Sequence, residues 1–371
     1  MTQPIPLFSM QAANAGVDVL EPIRKVIESH WYVLGREVAD FESEFARYLG
    51  IDHCVGVANG TDALEIALRA VGVGPGDPVI TCANAGFYSS TAVRAIGAIP
   101  VYIDIDPATM TLSPARLEEA LTHVPARAIV ATHLYGRLAD IESLAEIAAA
   151  RAVPLLEDCA QAHGATRGGR KAGTFGTISA FSFYPTKNLG AAGDGGAIAC
   201  RDAALAQRVK QLRQYGWGAK YKVELAGGRN SRLDELQAAI LRAKLPFLDQ
   251  WNQARRTIAR HYNAAFAGLP VQLPACDGDD HVAHLYVLRT RERDALRQYL
   301  EGQGIASEIH YPIPDHLQPV AAGGAPPFAL PETEAACASV VTLPCFPGLT
   351  DEQAERVAQA VRRFFQREES R

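Results

Sequence analysis

The sequence lacks the features that would assign it to several large functional classes. Its seven cysteines, Cys54, Cys82, Cys159, Cys200, Cys276, Cys337 and Cys345, form no CxxC pair and no other tight spacing. They therefore offer no zinc knuckle and no redox dithiol, and they read as buried thiols of a reducing compartment. His281 and His284 lie close together, but no neighbouring Cys, Asp or Glu completes a zinc pattern, so no metal is expected. No apolar run reaches membrane-spanning length. The opening MTQPIPLFSMQAANAG has no basic region followed by an apolar core, which leaves a cytoplasmic protein as the expectation. Basic residues do not dominate: 36 Lys and Arg against 41 Asp and Glu give a formal charge of -5. With no basic run interleaved with aromatics, a nucleic-acid-binding face is not expected, although a local basic pocket for a small phosphorylated substrate is compatible with this balance. The glycines Gly72, Gly74 and Gly76 follow a helical pattern and not a strand, and no Walker Lys-Ser/Thr pair is present, so neither nucleotide fingerprint applies.

What is present is a folded globular chain of 371 residues, 48% hydrophobic and 21% charged, long enough for two or three domain-sized units. Two helical stripes, Val19 to Ile27 and Phe41 to Leu49, are separated by a turn at Gly35. A strand and helix rhythm follows. Strands are expected at His53–Ala58, from Pro78, at Ile99–Ile103, Ala128–Thr132, Val153–Glu157 and Ile178–Phe183. Helices are expected at Ala63–Val71, Ser90–Ile96 and Ile141–Arg151. Such alternation predicts an α/β sheet covered on both faces, with the strand-end loops converging on one side. After Asn230, helices over Leu233–Leu248 and Gln253–Phe266, broken around Pro246 and Asp249–Trp251, lead into a smaller C-terminal unit. That unit is expected to hold a strand at His284–Arg289 and helices at Arg291–Gly302 and Asp351–Phe365. Gly323, Gly324, Pro326, Pro327 and Pro331 mark a loop between them. The expected domains are 1–250 and 251–371.

The run FSFYPTKNLGAAGDGGAI starts as a strand and becomes a constrained turn carrying Lys187. Pro185 fixes one backbone angle, and the glycines that follow allow close backbone paths. A lysine held there can form an imine with a carbonyl cofactor and later shuttle a proton; the plainer alternative is a surface lysine in a glycine-rich turn. Leu155-Leu156-Glu157-Asp158 ends an apolar strand in carboxylates, and strand alternation sends Glu157 and Asp158 to opposite sides. Asp158 is the candidate for holding a pyridine nitrogen protonated, with Glu157 its competitor. Asn59-Gly60-Thr61-Asp62, between a strand and a helix, suits an anion held by backbone N–H groups and the Thr61 hydroxyl, and Ser182 adds a second hydroxyl. A simple helix cap would explain Asn59 or Thr61 equally well.

Taken in order, VANGTDAL, EDCAQAHGA, FSFYPTKNLGAAGDGG, GRNSRLDELQAAIL and IHYPIPDHLQP resemble the DegT-type sugar aminotransferases, and the resemblance covers essentially the whole chain. It implies a fold-type I pyridoxal-phosphate aminotransferase, with a large central-sheet domain and a smaller α+β C-terminal domain. Lys187 becomes the Schiff-base lysine for pyridoxal 5'-phosphate, Asp158 the pyridine-nitrogen contact and Gln161 a neighbour of the ring. Gly60, Thr61 and Ser182 become phosphate ligands. Asn230 matches an asparagine that the neighbouring subunit lends to that phosphate site, so a homodimer with shared active sites is implied. Phe87 is the first choice for the ring stacked on the cofactor and Tyr88 the alternative, because ANAGFYSSTAV departs from the commoner TFxAT pattern.

The resemblance further implies L-glutamate as amino donor and a nucleotide-linked ketosugar as acceptor. LRQYGWGAKY is similar to enzymes that aminate C3 of dTDP-linked 3-keto-6-deoxyhexoses, which makes Tyr215, Trp217, Lys220 and Tyr221 candidate substrate contacts. His310, Tyr311 and His316 match a C-terminal region that approaches the sugar nucleotide. Similar patterns occur in enzymes for UDP-linked 3-keto uronic acids, and amination of a 4-keto sugar is a further alternative. The acidic Asp315, and LPCFPG where a histidine-containing turn is more usual, depart from the pattern. Related sugar dehydratases have histidine where this chain has Lys187. A noncatalytic cofactor-binding regulator is the rival from a different class.

Overall fold

A computed structural model describes residues 3–321 and 327–368. Its centre is a sheet of seven strands: β1 (His53–Val57), β2 (Pro78–Thr81), β3 (Ile99–Tyr102), β4 (Ala128–Thr132), β5 (Leu155–Asp158), β6 (Ile178–Ser182) and β7 (Gly196–Cys200), in the order β1-β7-β6-β5-β4-β2-β3. All run parallel except β7, which is antiparallel to both neighbours. Alternate residues serve the two faces. Val79 and Leu156 enter one apolar cluster with the helices Gly60–Ala70, Tyr88–Ala95 and Ala203–Leu212, while Ile80 and Leu155 enter another with Pro114–Ala120 and Ile141–Ala150.

The helix Arg36–Leu49 shows how the sheet is held. Val38, Phe41, Phe45, Ala46 and Leu49 are its buried residues, at helical spacing, and Gly50 ends it in the left-handed region at φ 75°. Phe45 packs edge-on to Phe181 and Phe183, with ring centres 5.1 and 5.4 Å away. Phe181 belongs to β6, the strand that leads into the Lys187 turn. Truncating Phe45 to alanine should cost about 3–5 kcal/mol.

The smaller unit pairs β8 (Tyr286–Arg289) antiparallel with β9 (Val340–Leu343) and covers them with the helices Leu248–Ala265, Arg293–Gly302 and Asp351–Glu368. Its core also contains Ile5, whose N–H donates to Gly304 O and whose carbonyl accepts from Ala306 N. The helix Leu248–Ala265, near whose start the 250/251 boundary falls, buries Leu248 with the large-sheet side and Ile258, Ala259 and Tyr262 with the small core. No described helix is long and apolar enough to cross a membrane.

Several local expectations are corrected. The helix expected from Ala63 begins at Gly60, because Asn59 Oδ1 accepts the Asp62 N–H at 2.8 Å and caps it there. Asp249, Gln250 and Trp251 lie inside a helix; the interruption is confined to the 3-10 turn Leu245–Phe247 containing Pro246. Pro331 starts the helix Pro331–Ser339, since proline at the first helical position forfeits no hydrogen bond. The loop expected at Gly323, Gly324 and Pro326 lies outside the described residues.

Candidate active site

The parallel register aligns Thr132 with Asp158 across β4 and β5, and Asp158 with Ala180 across β5 and β6. Their C-terminal ends, together with the start of the helix Gly60–Ala70, surround a cavity of about 290 Å³. Its walls include Gly60, Thr61, Asp158, Gln161, Ser182 and Lys187. Two shallower grooves of about 970 and 980 Å³ lie against the smaller unit, and neither is lined by a lysine.

Asp158 and Glu157 divide as strand alternation requires. Asp158 Oδ1 accepts from Ala160 N at 3.1 Å, and Oδ2 accepts from Thr132 Oγ1 at 3.2 Å. Glu157 points away and accepts from the N–H groups of Gly173, Phe175 and Gly176 at 2.6–2.8 Å. His133 Nδ1 accepts from Ala139 N, so its Nε2 carries the proton and donates to Glu157 at 3.0 Å. His133, Glu157 and Cys159 bring metal-ligand atoms within 4.8 Å of one another. The polar atoms of His133 and Glu157 are nevertheless already committed to these hydrogen bonds, which makes the cluster a structural brace for the 173–176 loop.

Lys187 and Asp158 influence each other across the cavity. Burial pulls the lysine amine down to about 8, against the opposing attraction of Asp158. Burial also raises the Asp158 carboxyl, while the Ala160 N–H, Lys187 and Thr132 act in the other direction. The turn itself is pinned next door. Asn188 donates to Asn252 Oδ1 at 2.8 Å and to Val282 O at 3.2 Å, and its Oδ1 pairs with His284 Nδ1 at 2.9 Å. His284 is held well below the usual histidine range by burial, with Lys187 adding to the effect, so it is a neutral donor. His281 Nδ1 accepts from Ala283 N, leaving the two histidines with different partners.

The anion end of the cavity depends on close approach. A Cβ on Gly60 would lie 2.6 Å from Ser182 Cβ, and one on Gly196 would lie 2.4 Å from Asn59 O. Glycine is required at both positions. The first-turn N–H groups of Gly60 and Thr61 have no intrahelical acceptors, and with the hydroxyls of Thr61 and Ser182 they make a phosphate-type donor set. Gln161 is oriented at both ends: Oε1 accepts from Tyr135 N at 2.6 Å and Nε2 donates to Tyr311 OH at 3.1 Å.

Other candidates lie elsewhere. Tyr88 lines the cavity and Phe87 does not, because Phe87 occupies the N-cap of the helix Tyr88–Ala95 at φ 69° and its ring lies beside Arg94. Of the two rings considered for stacking, the alternative, Tyr88, is the one that lines the cavity. Tyr311 reaches the cavity through Gln161 and Tyr88, whereas His310 pairs with Thr342 Oγ1 at 2.9 Å and His316 with Glu334 at 3.1 Å. Tyr215, Trp217, Lys220 and Tyr221 form an aromatic cluster on and beside the hairpin Trp217–Ala219/Lys222–Val223, outside the cavity walls. Asn230 is exposed and pairs by backbone with Gln214. The sequence reasoning missed Thr132, Tyr184 and Asp194 as lining residues. Their signals were a strand end before a turn for Thr132, and proximity to Lys187 and the GDGG run for the other two.

The sequence signature of the DegT/DnrJ/EryC1/StrS aminotransferase family spans residues 14–362. A Streptomyces venezuelae protein, dTDP-3-amino-3,4,6-trideoxy-alpha-D-glucose transaminase, is 45% identical over 371 residues, covering 99% of this chain and 97% of that protein. The crystal structure of S. venezuelae DesV in complex with ketimine intermediate superposes with a TM-score of 0.94 at 45% identity, covering 98% of this chain and 99% of that one. Bacillus subtilis NtdA with bound cofactor PMP gives a TM-score of 0.91 at 31% identity, covering 99% of this chain and 86% of that one.

Proposed function

Because the chain belongs to the DegT/DnrJ/EryC1/StrS aminotransferase family, we propose that its cavity binds pyridoxal phosphate and serves transfer of an amino group from L-glutamate to C3 of a nucleotide-linked keto-deoxysugar, by preference a dTDP-linked 3-keto-6-deoxyhexose. The observation that carries this reading is the convergence of Lys187, Asp158 and the Gly60, Thr61 and Ser182 donor set on one cavity. The residues fit the cofactor: a glycine-dependent anion cradle, a buried carboxylate and a lysine of lowered basicity are the groups its phosphate, ring nitrogen and aldehyde require.

When bound, pyridoxal phosphate supplies an electron sink for the carbon that loses its proton. Lys187, with its amine drawn toward neutrality, is the group that takes that proton and returns it. Asp158 holds a proton at the ring nitrogen, and its buried setting strengthens the ion pair this creates. Gln161, fixed by Tyr135 and Tyr311, orients the ring edge, and Tyr88 offers a stacking face. Asn230 completes the phosphate cage of a second copy of the chain, making a homodimer with shared sites. The exposed Tyr215 and Tyr221 and the half-buried Trp217, with Lys220, suit a nucleotide base and its phosphates; His310, Tyr311 and His316 belong to the segment that approaches the sugar.

The test is incubation with pyridoxal phosphate, glutamate and matched dTDP- and UDP-linked 3-keto and 4-keto sugars, followed by NMR location of the new carbon–nitrogen bond. Amination at C3 of the dTDP sugar is expected. Exclusive C4 amination, or turnover of UDP-linked substrates alone, would overturn the substrate assignment. Cofactor uptake with no amine formed from any of them would favour a regulatory protein.

A further inference from the structure

The helix Tyr88–Ala95 has no cap of its own. Its N-cap is Phe87, which sits in the left-handed region at φ 69° and has no side-chain oxygen to offer. The missing acceptor comes from the other end of the chain. Asp315, 1% exposed, takes the Phe87 N–H on Oδ1 at 3.0 Å and the Ser90 hydroxyl on Oδ2 at 2.5 Å. Tyr102 donates its own hydroxyl to Ser90 Oγ at 3.0 Å, and the Asp315 N–H donates to Ala83 O at 2.7 Å. In a capping box the carboxylate that reaches back to the N-cap N–H belongs to the third residue of the same helix. Here that third residue is Ser90, and Asp315 supplies the carboxylate in its place.

The same two segments meet again beside the cavity. Tyr88, the first residue of the helix, lines the cavity and stands edge-on to Tyr311 with ring centres 5.9 Å apart. Gly86, at φ 78°, gives the Tyr311 ring its room, since a Cβ there would lie 2.8 Å from Cε1. The 83–90 segment is thus tied to the 311–315 segment by Asp315 at one point and by Tyr311 at another. Asp315 is not itself among the cavity's lining residues.

We propose that Asp315 is a positioning residue for the cofactor cavity: it fixes the start of the helix Tyr88–Ala95 and so holds the Tyr88 ring in the cavity wall, where the ring packs on the bound cofactor. The proposal rests on the cofactor reading of the cavity. Burial lifts the Asp315 carboxyl to about 7 against the pull of Ser90 and the Phe87 N–H, so both hydrogen bonds lie in a desolvated setting where water does not replace them.

The experiment compares wild type, Asp315→Ala, Asp315→Asn, Tyr88→Ala and the Asp315→Ala/Tyr88→Ala double variant. Each is loaded with pyridoxal phosphate and read by cofactor affinity and by visible circular dichroism of the bound cofactor. Asp315→Ala should weaken affinity by about tenfold and reduce the dichroism, as a small misplacement of a packed group does. Asp315→Asn should retain most of the signal, because its amide oxygen still accepts the Phe87 N–H. In the double-variant cycle, removing Asp315 should add no further loss once Tyr88 is gone. Wild-type affinity and dichroism in Asp315→Ala, or losses that multiply in the double variant, would overturn the proposal. Should Asp315→Ala not fold, Ser90→Ala removes one of the carboxylate's two donors and is read in the same way, a reduced dichroism supporting the proposal and an unchanged one ending it. A wild-type protein that takes up no cofactor would instead remove the cofactor reading on which the proposal stands.

Discussion

Glu157 and Asp158, adjacent on β5, face opposite sides of the strand: Glu157 holds a loop by three backbone N–H groups, and Asp158 lines the cavity. Their substitutions should therefore separate stability from chemistry. Glu157→Ala leaves His133 and three loop donors without their acceptor and should cost about 3–5 kcal/mol in a urea titration. Asp158→Ala should lower transamination by about 10²-fold or more, because the electrostatic support of the ring is lost. Equal activity loss per folded molecule in the two variants would contradict this division.

Lys187→Ala should reduce turnover by about 10²–10⁴-fold, the range of a positioned proton-transfer group. Its melting temperature should remain near that of the wild-type apoprotein, because relief of the buried ammonium is offset by the packing lost with the lysine's methylenes. Steady-state kinetics and a thermal melt decide the matter, and ordinary transamination by the variant would end the assignment of Lys187.

The lowered basicity of Lys187 has a pH signature. Covalent capture of pyridoxal phosphate requires the neutral amine, so the rate of uptake by the apoprotein should rise with pH through about 8. A midpoint at the ordinary lysine value of 10.5 would be inconsistent with the site. For stability the sign follows from proton binding. Between about 8 and 10.5 the unfolded chain holds a proton that the folded one has released, so the penalty of the buried ammonium is full below 8 and fades as pH climbs to 10.5. Lys187→Met apoprotein should accordingly be more stable than wild type at pH 7, with the difference shrinking across that window.

The proposed sharing of active sites between two copies predicts complementation. Lys187→Ala and Asn230→Ala subunits, each impaired alone, should recover roughly one quarter of wild-type activity when co-expressed. Half the dimers of such a mixture are hybrids, and each hybrid has one intact site out of two. Activity of the co-expressed mixture is the measurement, with about one half expected of the purified hybrid, and failure of any recovery would place Asn230 outside the partner's site.

The parts of this site legible in the sequence are those whose chemistry is local. Asp158 ends an apolar strand and Lys187 follows a proline in a glycine-rich turn, so each announces itself within a few residues. The strand expected at Ile178–Phe183, found at Ile178–Ser182, is visible for the same reason, as a short stretch in which Ile178, Ala180, Phe181 and Phe183 supply apolar side chains. By contrast, β7 (Gly196–Cys200) is built mostly from small residues and hides in a glycine-rich stretch; its place follows from its pairing with both β1 and β6. The choice between Phe87 and Tyr88 was not local either. It depends on a left-handed residue held by a carboxylate 228 positions away. Tyr184 and Asp194 line the cavity from within the stretch that carries Lys187, where no periodicity marks which residues face inward.

Ile5 is a residue of the chain's first segment buried in the core built from its last. During synthesis that segment emerges long before Ile305, Leu343 or Val357 exist to receive it. The smaller unit must therefore assemble after synthesis of the helix Asp351–Glu368, when the strands of the large sheet have already been made. Completion of the unit into which Ile5 is fastened therefore waits on the helix Asp351–Glu368, and so does the final setting of the Tyr311 and Asp315 segment against the cavity wall.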